Sequence, residues 1–235
     1  MGNILITGAS SGIGKATAEY LVKQGNSVLL VARNAENLAR LQRELGEQAK
    51  IFPYDLSDLE NIGEIFAYCK EINFVLDGLV YCAGTTDNGP LRQLDYTRIL
   101  KVMNINCIAF LEMARFAIKR GYAADRLSIV AMSSLASKTC YGGTLAYSMS
   151  KAALNVACKV LSKETTRRGI RVNTIMPGYV KTPMTESLTE EDIKQEQPLG
   201  FIDPCEIAHV IGYLLSEESR HITGACIPVS AGMNF

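Results

Sequence analysis

A chain of 235 residues, 48% hydrophobic and 20% charged, has the make-up of an ordinary soluble globular protein and can bury a sizeable core without staples. Its 24 Lys and Arg balance its 24 Asp and Glu, and the missing basic surplus argues against nucleic acid as the main partner. Seven scattered cysteines with no CxxC pair, no charged leader before an apolar core and no run of about 18 apolar residues argue against a disulfide scaffold, a metal site, a secretory leader and a membrane span. Buried free thiols in a reducing cytoplasm explain the cysteines best.

The first apolar run, Asn3–Thr7, predicts a strand that enters TGASSGIG, with a helix pattern over Ala16–Gln24 close behind. Gly8 permits the tight turn, Gly12 lets backbone approach a pyrophosphate, and Gly14 lets the helix pack close to the strand. The helix N-terminus offers free N–H groups to the phosphates. Ser10, Ser11 and Ile13, between these glycines, count among the cofactor-binding residues. The spacing is GxxxGxG rather than GxGxxG, so the strand–loop–helix setting carries the reading. A P-loop fails, because Ala9 stands where it needs a glycine and Ala16 where it needs Ser or Thr. The second strand, Ser27–Ala32, ends in VLLVARN. No acid stands there to favour a free ribose 2′-hydroxyl, and Arg33 suits a 2′-phosphate instead. A charge-assisted bond of about 1.5–3 kcal/mol corresponds to roughly 10–150-fold in preference. NADP(H) is the predicted cofactor, with Ser10 and Asn34 as helpers. The alternative leaves Arg33 as a solvated surface charge.

A helix over Ala35–Leu45, a short strand at Lys50–Phe52 and a helix over Leu59–Glu71 follow. A strand at Leu79–Cys82, a long helix over Tyr96–Arg120 and a strand at Leu127–Met132 come next. A helix over Leu145–Arg168 and strands at Arg171–Met176 and Cys226–Val229 complete the pattern. Alternating elements of this kind predict one α/β domain over residues 1–235. It has a Rossmann-type, doubly wound, mainly parallel seven-stranded sheet with helices on both faces. Gly178–Asp203 is irregular and rich in Thr, Glu, Gln and Pro, which predicts a mobile substrate lid. Met184 and Leu188 offer it apolar faces. Its Glu190–Gln197 stretch lacks a buried stripe, which predicts weak packing without ligand.

Tyr147 and Lys151, in YSMSK, share a helix face, and Ser134 ends a strand in VAMSSL. A carbonyl that receives a hydride becomes an alkoxide and needs a proton. An ammonium about 5 Å away, at an effective dielectric near 20, is worth roughly 3 kcal/mol. That predicts a phenol pKa lowered by about two units from about 10, toward the range where acid–base catalysis is efficient. A serine hydroxyl can hold the same oxygen. YxxxK alone is a common surface pair; the glycine loop and the upstream serine give it meaning.

Together these motifs resemble the short-chain dehydrogenase/reductase family over essentially the whole chain. The order is TGASSGIG, Asp55-Leu56, CAG (Cys82–Gly84), a helical Asn, the serine, YSMSK, RVN (Arg171–Asn173) and Pro177-Gly178 followed by Val180 and Thr182. The resemblance implies that Asp55 meets the adenine and that Cys82, Ala83 and Gly84 line the cofactor cleft. It also implies that Lys151 holds the nicotinamide ribose and Thr182 touches the carboxamide. Asn104 and Asn106 both compete for the helical position. The family's usual spacing to the tyrosine selects Asn106, with the implied role of holding a water that relays protons to Lys151. YCAG replaces the family's NNAG, and Ser230-Ala231-Gly232 replaces its DGG near the end.

Within the family, PLGF (Pro198–Phe201), the ending TGACIPVSAGM and the compact length resemble the 3-oxoacyl-(acyl-carrier-protein) reductases. Those enzymes dock an acidic carrier on basic residues. Arg168 matches one such position, while Asp125 stands at another with Arg126 beside it. The implied reaction is reduction of a ketone to a secondary alcohol by NADPH. The implied partner is a small carbonyl substrate, free or carrier-linked. A sugar, steroid or other small alcohol is the alternative substrate, and a non-catalytic nucleotide sensor is the alternative of another class. Helices Tyr96–Arg120 and Leu145–Arg168 resemble those that relatives pack against a partner, which implies a homotetramer or homodimer.

Overall fold

The computed structural model describes residues 2–235, in which seven strands form one all-parallel sheet in the order β3-β2-β1-β4-β5-β6-β7. The strands are β1 (Asn3–Thr7), β2 (Ser27–Ala32), β3 (Ala49–Pro53), β4 (Leu76–Tyr81), β5 (Ala123–Met132), β6 (Arg171–Pro177) and β7 (Cys226–Val229). Between them lie α1 (Gly12–Lys23), α2 (Ala35–Leu45), α3 (Gly63–Glu71), α4 (Tyr96–Met103), α5 (Ala109–Ala117), α6 (Ala136–Thr139), α7 (Leu145–Thr165), α8 (Glu190–Glu196) and α9 (Pro204–Leu215).

Strand periodicity divides the core. Leu5, Leu29, Val31 and Leu79 point to the face covered by α3, α5 and α7. Ile4, Ile6, Val28, Leu30 and Val80 point to the face covered by α1, α2 and α9. Burial on both faces is why these strands read as continuous apolar runs. The chain builds outward from β1 to β3, then returns to lay β4 on the other side of β1. The connections after β1 and β4 therefore leave in opposite directions and open a crevice at the strand carboxyl ends, where open α/β sheets bind ligands.

Several boundaries differ from expectation. β4 starts at Leu76 instead of Leu79, with a register irregularity between Leu76 and Gly78, and ends at Tyr81. β5 starts at Ala123, because its first residues are exposed or half-buried and carry no core pattern. The helix expected from Leu59 starts at Gly63, after a series of turns. The long helix expected over Tyr96–Arg120 is broken by a π-helical turn at Asn104–Ile108 and ends at Ala117. One wide turn leaves apolar residues on both sides in phase enough to read as one helix. The thiols are not all buried: Cys140 and Cys205 are exposed, and all seven are free. No helix among the described residues is long and apolar enough to cross a membrane.

The segment after β6 packs better than its composition suggests. Ile193 and Gln197 are buried, and Val180 forms a bridge with Ile202. The expectation of weak packing over Glu190–Gln197 fails at those two side chains and holds for the exposed residues between them.

Candidate active site

The glycine loop has the backbone its sequence demands. Gly8 and Gly12 take φ of +64° and +52°, the left-handed region that side chains avoid. A Cβ on Gly14 would stand 2.3 Å from the Gly8 carbonyl oxygen, so α1 approaches β1 only because that atom is missing. Ser11 is the N-cap of α1 but makes no side-chain cap bond, so the first-turn N–H groups point free toward the loop. An uncapped helix start beside Ser10, Ser11, Gly12 and Ile13 fits a pyrophosphate.

Around this cradle, Ala83 donates its N–H to the Thr7 hydroxyl at 3.2 Å, tying the ends of β1 and β4. Burial pushes the Cys82 thiol up to about 12, against a smaller pull from Lys151. At the end of β2, Arg33 is exposed and its guanidinium stands 3.9 Å from Asp55, itself exposed. Such a pair binds weakly, which leaves the cation available. Burial pushes the Asp55 carboxyl up, but bonds from the Ser57 N–H and hydroxyl, with Arg33, bring it net below its ordinary value. Leu56 behind it is buried. The Asn34 side chain caps α2 by accepting from the Asn37 N–H at 2.8 Å, so its oxygen is engaged. Thr182 comes across from the turn after β6: a Cβ on Gly12 would lie 3.1 Å from its methyl. Pro177, Gly178 and Val180 lead into that turn from the end of β6.

Ser134, Tyr147, Lys151 and Asn106 converge at the same end of the sheet. The Ser134 oxygen accepts from the Ala136 N–H at 3.1 Å. Burial raises the Tyr147 phenol, and a hydrogen bond with Ser134 pulls it partly back. Lys151 donates to the Met132 carbonyl at 2.7 Å, with its Nζ 5.7 Å from the centre of the Tyr147 ring. Burial lowers its ammonium from 10.5 to about 8. The expected net depression of the phenol therefore does not occur: desolvation of Tyr147 dominates, and the ammonium faces a carbonyl.

Asn106 is buried, and every polar atom of its carboxamide has a partner. Oδ1 accepts from the Thr85 N–H at 2.8 Å, while Nδ2 donates to the Thr85 carbonyl at 2.9 Å and the Ser150 hydroxyl at 2.8 Å. Ser150 in turn donates to the Tyr147 carbonyl at 2.7 Å. Asn106 thus clamps the loop after Gly84 to α7. It does not touch Lys151 directly. A Cβ on Gly84 would stand 3.3 Å from Asn106 Oδ1 and 3.4 Å from Lys151 Nζ, so both atoms pack closely against the same stretch of backbone. Asn104, the competing candidate, is half-buried on the same π turn.

Sequence reasoning missed two supports. Tyr81, fully buried, donates its hydroxyl to the Ile105 carbonyl inside the π turn at 2.5 Å. Ser150 was in plain view within YSMSK, but its role depends on a bulge that no sequence pattern announced.

Comparison with known proteins agrees with this geometry. A family model described as Enoyl-(Acyl carrier protein) reductase matches residues 8–234. The 3-oxoacyl-[acyl-carrier-protein] reductase FabG of Rickettsia conorii is 36% identical over 233 residues, covering 97% of this chain and 95% of the relative. The human 3-oxoacyl-[acyl-carrier-protein] reductase is 31% identical over 235 residues, covering 98% and 97%. A solved structure described as a short chain dehydrogenase/reductase family protein superposes with a TM-score of 0.88 at 27% identity, covering 98% of this chain and 96% of that one. The chain belongs to the short-chain dehydrogenase/reductase family of nicotinamide-dependent oxidoreductases.

Proposed function

We propose that this short-chain dehydrogenase/reductase uses NADPH to reduce a ketone to a secondary alcohol, with a 3-oxoacyl thioester of acyl carrier protein as its substrate. The observation that carries the reading is the convergence of Ser134, Tyr147 and Lys151 at one end of the sheet, with Lys151 Nζ anchored on the Met132 carbonyl 5.7 Å from the Tyr147 ring. Two hydroxyls side by side can both donate to one carbonyl oxygen. The cofactor supplies the hydride when bound. As the oxygen gains charge, Ser134 holds it and Tyr147 gives it a proton. Burial keeps that phenol protonated until the oxygen needs it. Lys151, a cation below about 8, then reloads the tyrosine. The replacement proton comes to Lys151 through a water, as the family resemblance implies for the position of Asn106.

Arg33 supports NADPH over NADH, because an exposed guanidinium at the end of β2 pairs with a 2′-phosphate. The names of the relatives support the acyl thioester. The family model's description names a carbon–carbon double bond, whose reduction delivers the proton to carbon. Paired hydroxyls serve an oxygen better. For the carrier, Arg168 lines a groove of about 470 Å³ with Arg120, Arg167 and Asp125 at the far end of α7 from Tyr147. At 21 residues α7 spans about 30 Å, so a carrier seated there serves a partner copy's site more easily than its own. Exposed apolar residues on α4, α5 and α7, among them Leu100, Leu111, Met149, Val156 and Val160, support such a homo-oligomer.

NADPH oxidation measured with acetoacetyl thioesters of carrier protein and coenzyme A, a crotonyl thioester, keto sugars and keto steroids tests the reading. Turnover of acetoacetyl-carrier is expected to exceed the rest. Crotonyl turnover without acetoacetyl turnover would overturn the ketone; a sugar or steroid as preferred substrate would overturn the thioester.

A further inference from the structure

Gln197 ends a polar stretch, yet its side chain is fully buried. Its Oε1 accepts from the Tyr179 N–H at 2.8 Å, and its Nε2 donates to the Tyr179 carbonyl at 3.0 Å and the Gly200 carbonyl at 2.6 Å. One side chain thus grips both polar groups of a single residue, as a neighbouring strand would. Gly178 makes the room: a Cβ there would stand 2.1 Å from Gln197 Oε1. Backbone bonds add to the grip, with Ile202 donating to the Tyr179 carbonyl at 3.0 Å and Lys181 to the Ile202 carbonyl at 2.9 Å. The chain therefore leaves the sheet and returns to it through a closed neck. Beyond the neck, bonding is mostly local. Thr182 and Thr189 each head a capping box, and Ile193 is the buried side chain between residues 183 and 196.

We propose that Gln197 is a positioning residue for the nicotinamide end of the cofactor site. By holding the Tyr179 peptide groups it fixes where Val180 and Thr182 stand, and it leaves the loop beyond free to move over the substrate. The inference rests on the cofactor reading above and on the adjacency of Thr182 to Gly12 of the glycine loop. Only an amide suits the position. It supplies one acceptor and two donors, whereas an ionised glutamate has no hydrogen for the two carbonyls and leucine has neither. A buried carbonyl left unmatched pulls its segment toward water.

The test compares binding of NADPH with binding of 2′-phospho-ADP-ribose, which lacks the nicotinamide, in wild type, Gln197→Leu and Gln197→Glu, each checked by thermal melting. Both variants are expected to bind NADPH about tenfold more weakly, while 2′-phospho-ADP-ribose affinity stays within about twofold. Amide exchange at residues 179–182 is expected to rise in the same variants. Equal weakening of both ligands would mean a general loss of structure and would overturn the proposal, as would unchanged NADPH affinity. If Gln197→Leu does not fold, Gln197→Glu alone decides by the same criterion. Wild-type protein that binds neither ligand would instead overturn the cofactor reading, and the proposal with it.

Discussion

The two walls of the cleft are built to different standards of fixation. On one side Asn106, Ser150 and Lys151 are buried, and each makes a hydrogen bond to another element. On the other, residues 183–196 are exposed or half-buried except at Ile193. The first wall shares its core with the sheet. The second is held by its neck and its own caps, which places it at the low-stability end of the molecule. Proton transfer tolerates little error in position, and the groups proposed for it stand on the buried wall. The groups proposed to cover a substrate stand on the more exposed wall.

Changes to the fixed wall should therefore affect chemistry, and changes to the mobile wall should affect access. Tyr147→Phe is expected to lower kcat by about 10³-fold and leave NADPH affinity nearly unchanged, as steady-state kinetics and fluorescence titration would show. Substantial residual turnover would remove Tyr147 from the role of acid. Lys151→Ala is expected to lower kcat by about 100-fold and weaken NADPH as well.

The pH profile sharpens the same contrast. Burial holds Lys151 at about 8, so its ammonium is present below that value and lost above it. Ketone reduction should stay level on the acid side and decline as pH rises through 8, while alcohol oxidation should rise through the same window. A reduction rate flat to pH 10 would break the assignment.

Arg33→Ala should reduce the preference for NADPH over NADH by about tenfold, toward the low end for a charge-assisted bond because Arg33 is exposed. An unchanged preference measured by titration with both cofactors would refute its role. The smallest effect is expected in the loop itself. Amide exchange over residues 182–196 should slow by a few-fold on adding NADP(H), while α7 stays protected throughout. Strong, equal protection of the loop in both states would make the two walls alike.

The sheet was legible because strands buried on both faces leave unbroken apolar runs, and the residues proposed for the site were legible because they sit in short motifs on the glycine loop, at strand ends and in α7. What stayed hidden depends on distant neighbours. Asp77 and the exposed start of β5 masked where β4 and β5 begin. Gln197 read as surface, because its burial needs the absent Cβ of Gly178 and the peptide groups of Tyr179, both far away in sequence. The phenol of Tyr147 was expected to fall, because a Coulomb estimate from helix spacing contains no desolvation; the folded site adds it and reverses the sign.

The π turn at Asn104–Ile108 carries a consequence for anyone who tries to make this protein tougher. Deleting one residue there would let α4 and α5 merge into a regular helix with an ordinary ladder, but it would turn a buried face out of the core, Val102 on α4 or Phe110 and Met113 on α5. The same deletion would swing residues after the cut by about 100° relative to those before it, and would carry the Asn106 carboxamide off Thr85 and Ser150. A heat-resistance screen blind to activity should therefore recover no single-residue deletion in this turn. What looks like a flaw in the helix is the joint that lets α5 keep its core face and Asn106 its partners at once.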